Sequence, residues 1–252
     1  MKKIYYYLIL SILSVSCISN TKTFKNEDDR WAFVDKSLGL DRNDLGILDS
    51  IKNNTDNITL LTLIYDECDM CSLLLESEKY KNLPIEKIEL DIAKNSAAKI
   101  ISQALYTTGF PTSYLFNGRD QLHSILPGGK SFRTQIDSVL NDNQPIAEVK
   151  VPTVDINSTT KMFSFSLNSI YAIKERDFAK AKENLRQSLK EGSYFFNNYM
   201  LSLIYLTEER VDSTEYFQKR ASWHANHGSS PYIYENLINN LNLNAMVRYK
   251  TK

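Results

Sequence analysis

Cys68-Asp69-Met70-Cys71 stands out in this 252-residue chain as a stretch whose residue types and spacing suit covalent chemistry. Two thiols separated by two residues can hold a metal, attach a haem or exchange disulfides. Zinc takes four ligands, yet the chain has just one other cysteine, Cys17, and His123, His224 and His227 lie far off in sequence. Haem attachment takes a histidine directly after the second cysteine, and that residue is Ser72. Disulfide exchange needs nothing further, neither metal nor organic cofactor. The pair follows the apolar run ITLLTLIY (58–65) and leads into CSLLLESEKYKNL, which reads as a helix. A helix N-terminus presents free N–H groups and positive dipole potential, which stabilise a thiolate. One sulfur then attacks a disulfide and the second releases the product.

Asp66, Glu67 and Asp69 surround the first sulfur with negative charge, which opposes the thiolate. Exposed acids at short range shift such an equilibrium by about one pKa unit, about 1.4 kcal/mol. That is less than the pull of a helix terminus plus a vicinal thiol, so the pair is expected to remain redox-capable. As metal ligands these acids are the weaker reading, because carboxylates at a helix start complement its dipole. His224 and His227, spaced i, i+3 in WHANHG, are assigned to capping a helix C-terminus. Tyr194, Phe195, Phe196, Tyr199, Tyr205, Tyr216 and Phe217 fall at helical spacing and are expected in a core, with part of the set available to line a groove.

The elements that must position the cysteines follow the order β-α-β-α-β-β-α. ITLLTLIY is continuous and β-branched, as in a central strand buried on both faces. IEKIELDI (85–92) alternates and is a second strand, and SAAKIISQALYTT is a helix. TSYLF and HSIL flank the turn pair Asn117-Gly118, a hairpin signal, and Gly128-Gly129 opens a last helix, SFRTQIDSVLN. The expected fold class is therefore α/β, a mixed sheet flanked by helices. Upstream, residues 18–30 are polar without periodicity, as in a tether. RWAFVDKSLGL reads as a short strand or a turn of helix, and a helix is expected from Asn43 or Asp44 onward.

Residues 143–160, with two prolines, read as a linker, and everything beyond is helical in pattern. Five amphipathic segments follow, ending in PYIYENLINNLN. Phe178-x-x-Ala181 with Leu185 recurs about 32–33 residues later as Val211-x-x-Thr214 with Phe217. Paired helices at that period resemble tetratricopeptide repeats; a plain helical bundle accounts for them equally. The expected organisation is an N-terminal extension (18–39), an α/β domain (40–142), the linker, and an all-α, repeat-like domain (161–252).

Gly109-Phe110-Pro111-Thr112 begins a strand, Asn117-Gly118 makes the hairpin and Gly128-Gly129 begins the last helix. With the cysteine pair, these features make residues 40–142 resemble a thioredoxin-fold domain. The resemblance implies a cis bond before Pro111, placement of Pro111 against the cysteines, and pairing of the Phe110 backbone with a substrate chain. It also implies that Cys68 attacks, Cys71 resolves, and the two close a catalytic disulfide. The chain departs from that family at Glu67, where an aromatic is usual, at Asp69-Met70, where Gly-Pro is usual, and at Thr62, where a buried carboxylate moves protons. These departures imply a less acidic nucleophile and a more stable disulfide than in strongly oxidising relatives. They leave open a permanent structural disulfide in a binding or assembly scaffold.

The N-terminus, MKKIYYYLILSILSVSC, reads as an export signal: two lysines, an apolar stretch too short to be a good membrane span, then small residues before Cys17. It resembles a bacterial lipobox with Cys17 lipidated as residues 1–17 are processed, although Leu13 sits one position early. An ordinary signal peptide cut near Cys17, or an uncleaved anchor, is the alternative. Lipidation leaves Cys68 and Cys71 to pair with each other and holds the protein on a membrane by acyl chains alone. Basic and acidic residues number 30 each with no basic stretch, so nucleic acid is not an expected partner. The expectation is a lipid-anchored thiol-disulfide oxidoreductase of a bacterial cell envelope, on the periplasmic face, with Ile18 favouring the outer membrane. Its partners would be protein disulfides, an envelope or membrane thiol protein that donates electrons, and a protein docked on the helical domain.

Overall fold

A computed structural model of the chain describes residues 24–52, 58–117, 121–128, 130–142 and 156–227. Cys17, the export signal, most of the linker, and PYIYENLINNLN lie outside them. In chain order the elements are α1 (Glu27–Leu38), a 3-10 turn (Arg42–Gly46), α2 (Ile47–Lys52), β1 (Ile58–Ile64), α3 (Asp69–Glu76), α4 (Glu78–Lys81), β2 (Glu86–Asp91) and α5 (Ser96–Ala104). They continue with β3 (Thr112–Asn117), β4 (Leu122–Pro127), α6 (Lys130–Asp142), α7 (Ile156–Lys174), α8 (Phe178–Glu191), α9 (Phe195–Thr207) and α10 (Val211–His227).

β1 pairs parallel with β2 and antiparallel with β3, and β3 pairs antiparallel with β4, giving a four-stranded mixed sheet of order β2-β1-β3-β4. Central placement explains why β1 carries no charged residue: both of its faces are covered. Successive side chains alternate between faces. Leu61 and Leu63 join Ile88, Leu90, Tyr114 and Phe116 in one core, while Leu60 joins Leu115 and Leu126 in the other. Leu74 of α3, Tyr80 of α4, and Phe132 and Ile136 of α6 close the second core. The first is covered by α5 and runs without interruption into Phe163, Leu167, Ile170, Tyr194 and Leu201 of the helical region. Helices α7 to α10 follow one another through three-residue turns, each packed on the next.

Several expectations are corrected. The stretch read as a tether, 18–30, is helical from Glu27 on, and RWAFVDKSLGL is neither a strand nor a single turn but supplies most of the 12-residue α1. Asn26 caps α1 by accepting the Asp29 N–H at 2.8 Å, and Trp31, Val34 and Leu38 bury against the helical region. Trp31 stacks on Phe178 with centroids 3.6 Å apart, and Arg42 joins Asp35 (2.6 Å) to the Ile173 carbonyl (3.1 Å). Gly39 ends α1 at φ +61, the left-handed region that a side chain disfavours. The single helix expected after the cysteines is two, because Ser77 turns extended, donates to the Leu74 carbonyl and caps α4. The helical region starts at Ile156, inside the expected linker, and its core is shared with the sheet. Tyr216, expected in a core, is 53% exposed.

His224 does not cap α10. Ser193 Oγ accepts from Asn198 Nδ2 (3.0 Å) and Arg220 Nη2 (2.8 Å), so its own proton goes to His224 Nε2 at 2.9 Å. Desolvation, with Arg220 and His227 adding charge, pushes His224 down to about 4. An unfolded histidine titrates near 6.5. Between those values the unfolded chain takes up a proton that the folded chain refuses, so stability falls as pH drops from 6.5 toward 4. With the partial exposure of the ring discounted, the loss is about 1–2 kcal/mol. Urea midpoints of the wild type and His224→Gln at pH 7 and pH 4.5 check this: the variant should lose less. Equal losses would remove His224 from the acid sensitivity.

Candidate functional site

β1 ends at Ile64, and the chain turns back through the Cys68 N–H to Tyr65 carbonyl bond (3.1 Å). Cys68 is the N-cap of α3 in extended conformation, and its Sγ accepts the Cys71 N–H at 3.1 Å. Cys68 and Cys71 are joined as a disulfide, with Cα atoms 5.2 Å apart. The two sulfurs are unequal: Cys68 is partly exposed, whereas Cys71 is 3% exposed. A sulfur that caps a helix keeps the stabilising N–H when reduced, so a Cys68 thiolate would sit in the positive field of the helix.

Phe110 and Pro111 reach this sulfur from the loop before β3, whose first residue, Thr112, pairs with Leu63 at the end of β1 that leads to the cysteines. The Phe110 carbonyl oxygen lies 3.6 Å from Cys68 Sγ, and the Phe110–Pro111 peptide is cis, the isomer expected above. Thr112 Oγ1 donates to the Gly109 carbonyl at 2.7 Å, which closes the loop around the proline. The Gly128 N–H donates to the Pro111 carbonyl at 2.7 Å. A Cβ on Gly128 would stand 2.3 Å from Pro111 Cγ and 2.6 Å from its carbonyl oxygen. Glycine is therefore required there by close approach. Gly128→Ala is expected to displace the proline loop and cost about 1–3 kcal/mol, as overpacking does. A urea titration checks it, and an unchanged midpoint would mean that the loop yields freely.

Sequence reasoning missed Lys94, the partners of Thr62, and Tyr65. Lys94 Nζ bonds Asp66 at 2.8 Å and Asp91 at 3.3 Å; the hydrogen bonds it donates to Asp66 and then Asp91 hold the ammonium above its ordinary pKa. One of the three acids near Cys68 is thus answered. The Asp91–Lys94 spacing was visible, but its reach to Asp66 was not. Thr62 is fully buried in a hydroxyl cluster with Ser113 (2.9 Å) and Tyr80 (3.1 Å). Burial raises the Tyr80 phenol far above its usual range. Tyr65, next to the pair, sets its ring 6.3 Å from that of Phe110.

Among the described residues no group of three or more His, Cys, Asp or Glu side chains is placed to hold a metal. His227 bonds the Trp223 carbonyl at 2.8 Å and His123 bonds Ser124 at 2.8 Å. No helix of the described residues is long and apolar enough to cross a membrane. No family model matches this chain and no curated protein is similar to it.

Proposed function

We propose that the chain is an exported, lipid-anchored thiol-disulfide oxidoreductase with a thioredoxin-like domain and a helical partner module. One observation carries the reading: a disulfide spans the first turn of a helix, with its outer sulfur partly exposed and 3.6 Å from the Phe110 carbonyl. The β-α-α-β-α-β-β-α order over 58–142 and the Gly128–Pro111 hydrogen bond are in keeping with it. Residues 1–17, with Cys17 as the acylated residue, supply export and anchoring.

In the reducing direction the Cys68 thiolate attacks one sulfur of a partner disulfide. The partner S–S bond breaks, a Cys68–partner S–S bond forms, and the released thiolate takes a proton from water. Cys71, as thiolate, then attacks Cys68 Sγ, which closes the Cys68–Cys71 bond and releases the second partner thiolate. Two electrons and two protons pass to the partner. A thiol protein of the envelope or membrane restores the dithiol by the same exchange. Run backwards, the steps oxidise a partner dithiol.

Dithiothreitol-driven reduction of insulin tests the reading, with Cys68→Ser as control. Acceleration by the wild type alone supports it. No acceleration over the control overturns it and leaves a scaffold with a structural disulfide.

A further inference from the structure

We infer that the surface around Cys68 selects partner segments that are both apolar and positively charged, an inference that rests on the thiol-disulfide reading of this site. Six large hydrophobic side chains are exposed among the described residues, and three flank the cysteines: Tyr65 at 37%, Met70 at 45% and Leu73 at 62%. The other three lie on α10. Tyr65 neighbours the half-buried Phe110 ring, and the Phe110 carbonyl reaches Cys68. Met70 and Leu73, spaced i, i+3, share the outer face of α3 while Cys71 and Leu74 turn inward. The partly exposed sulfur thus has exposed apolar side chains on both sides of it along the chain.

Charge says what covers them. Asp66, Glu67 and Asp69 bracket Cys68. Lys94 is engaged by Asp66 and Asp91, and among the described residues no cation pairs with Glu67 or Asp69. An apolar patch with unanswered carboxylates repels an acidic segment and an anionic lipid surface. A second copy of the chain would bring the same carboxylates to the same face. Lysine or arginine beside an apolar stretch is attracted, and an arginine can also lie over the Tyr65 or Phe110 ring. The substrate class is therefore a cystine with basic and apolar neighbours.

Two synthetic cystine peptides test this, identical in their apolar core but flanked by lysine in one and glutamate in the other. Hydroxyethyl disulfide serves as an uncharged probe. Reduced protein should react with the lysine peptide roughly tenfold faster than with the glutamate peptide at low ionic strength, the ratio falling toward one as salt screens the charges. The double variant Glu67→Lys/Asp69→Lys should invert the ratio. Because one thiol meets both peptides, a changed thiol acidity cancels in that ratio. Equal rates at low ionic strength, with hydroxyethyl disulfide still reduced, overturn this inference alone. Failure with every disulfide overturns the oxidoreductase reading and this inference with it. Co-sedimentation with phosphatidylglycerol vesicles that Leu73→Asp abolishes assigns the patch to lipid and overturns the peptide assignment.

Discussion

Reduced Cys71→Ser protein mixed with insulin is expected to accumulate as a mixed disulfide, whereas Cys68→Ser should form no adduct above the background of a buried thiol. The asymmetry follows from position. Cys68 is partly exposed at the cap of α3, where its sulfur accepts the Cys71 N–H. Cys71 is 3% exposed one turn in, beside Leu74. Field and hydrogen bond at a helix N-terminus lower a thiol pKa, and burial in apolar surroundings raises it. Both effects favour the thiolate at Cys68 over Cys71, and steric access widens the gap. The Cys71→Ser adduct persists because no second sulfur remains to break it. Non-reducing gel shifts over time give the rates. Equal yields from the two variants would show that the inner sulfur is reachable, and the assignment of attacking and resolving cysteine would fall.

The site was more legible than the body that carries it. β1 announced itself because a strand covered on both faces has no polar face to show. The cysteines were readable because their placement depends on local chemistry, a thiol at a helix cap; Gly128 was readable only as the opening of the last helix, and its close approach to Pro111 was not. What was hidden depends on distant partners. α1 carries only Trp31, Val34 and Leu38 inward within a polar stretch, and the surface they meet, at Phe178, is supplied from far along the chain. Lys94 matters through Asp66, a contact set by where β1 and β2 end. Ser77 had a choice between continuing a helix and capping the next, and propensity alone does not decide that. The boundary near 143–160 suggested two units because loop composition marks a connection, not whether the elements on either side share a core.

That shared core makes Tyr194→Ala the most damaging single truncation expected outside the site, at about 3–5 kcal/mol for loss of a buried aromatic. Tyr194 caps α9 and is 1% exposed. Its ring packs edge-on against Phe163 at 5.5 Å and Tyr106 at 6.1 Å, which joins α7 to the segment after α5. Its hydroxyl touches both the Ala104 carbonyl and Ser166 Oγ at 2.6 Å. One phenolic proton serves only one of them. The carbonyl has no proton to give, so Tyr194 donates to Ala104 and Ser166 donates to Tyr194. Ser166 in turn accepts from Ser188 (2.8 Å), and Ser188 accepts from Asn197 Nδ2 (3.2 Å). The chain thus runs from α9 through α8 and α7 to the last carbonyl of α5, a group that a helix end leaves without a partner. Tyr194→Phe keeps the ring but strands that carbonyl and the Ser166 proton, for about 1–3 kcal/mol. Urea unfolding followed by far-UV circular dichroism and by tyrosine and tryptophan fluorescence separates the contributions. One cooperative transition is expected for the wild type, with both variants shifting it in the stated order. Two wild-type transitions, with only the helical one moved by Tyr194→Ala, would mean that sheet and helices are stable apart and that this hydroxyl chain does not couple them.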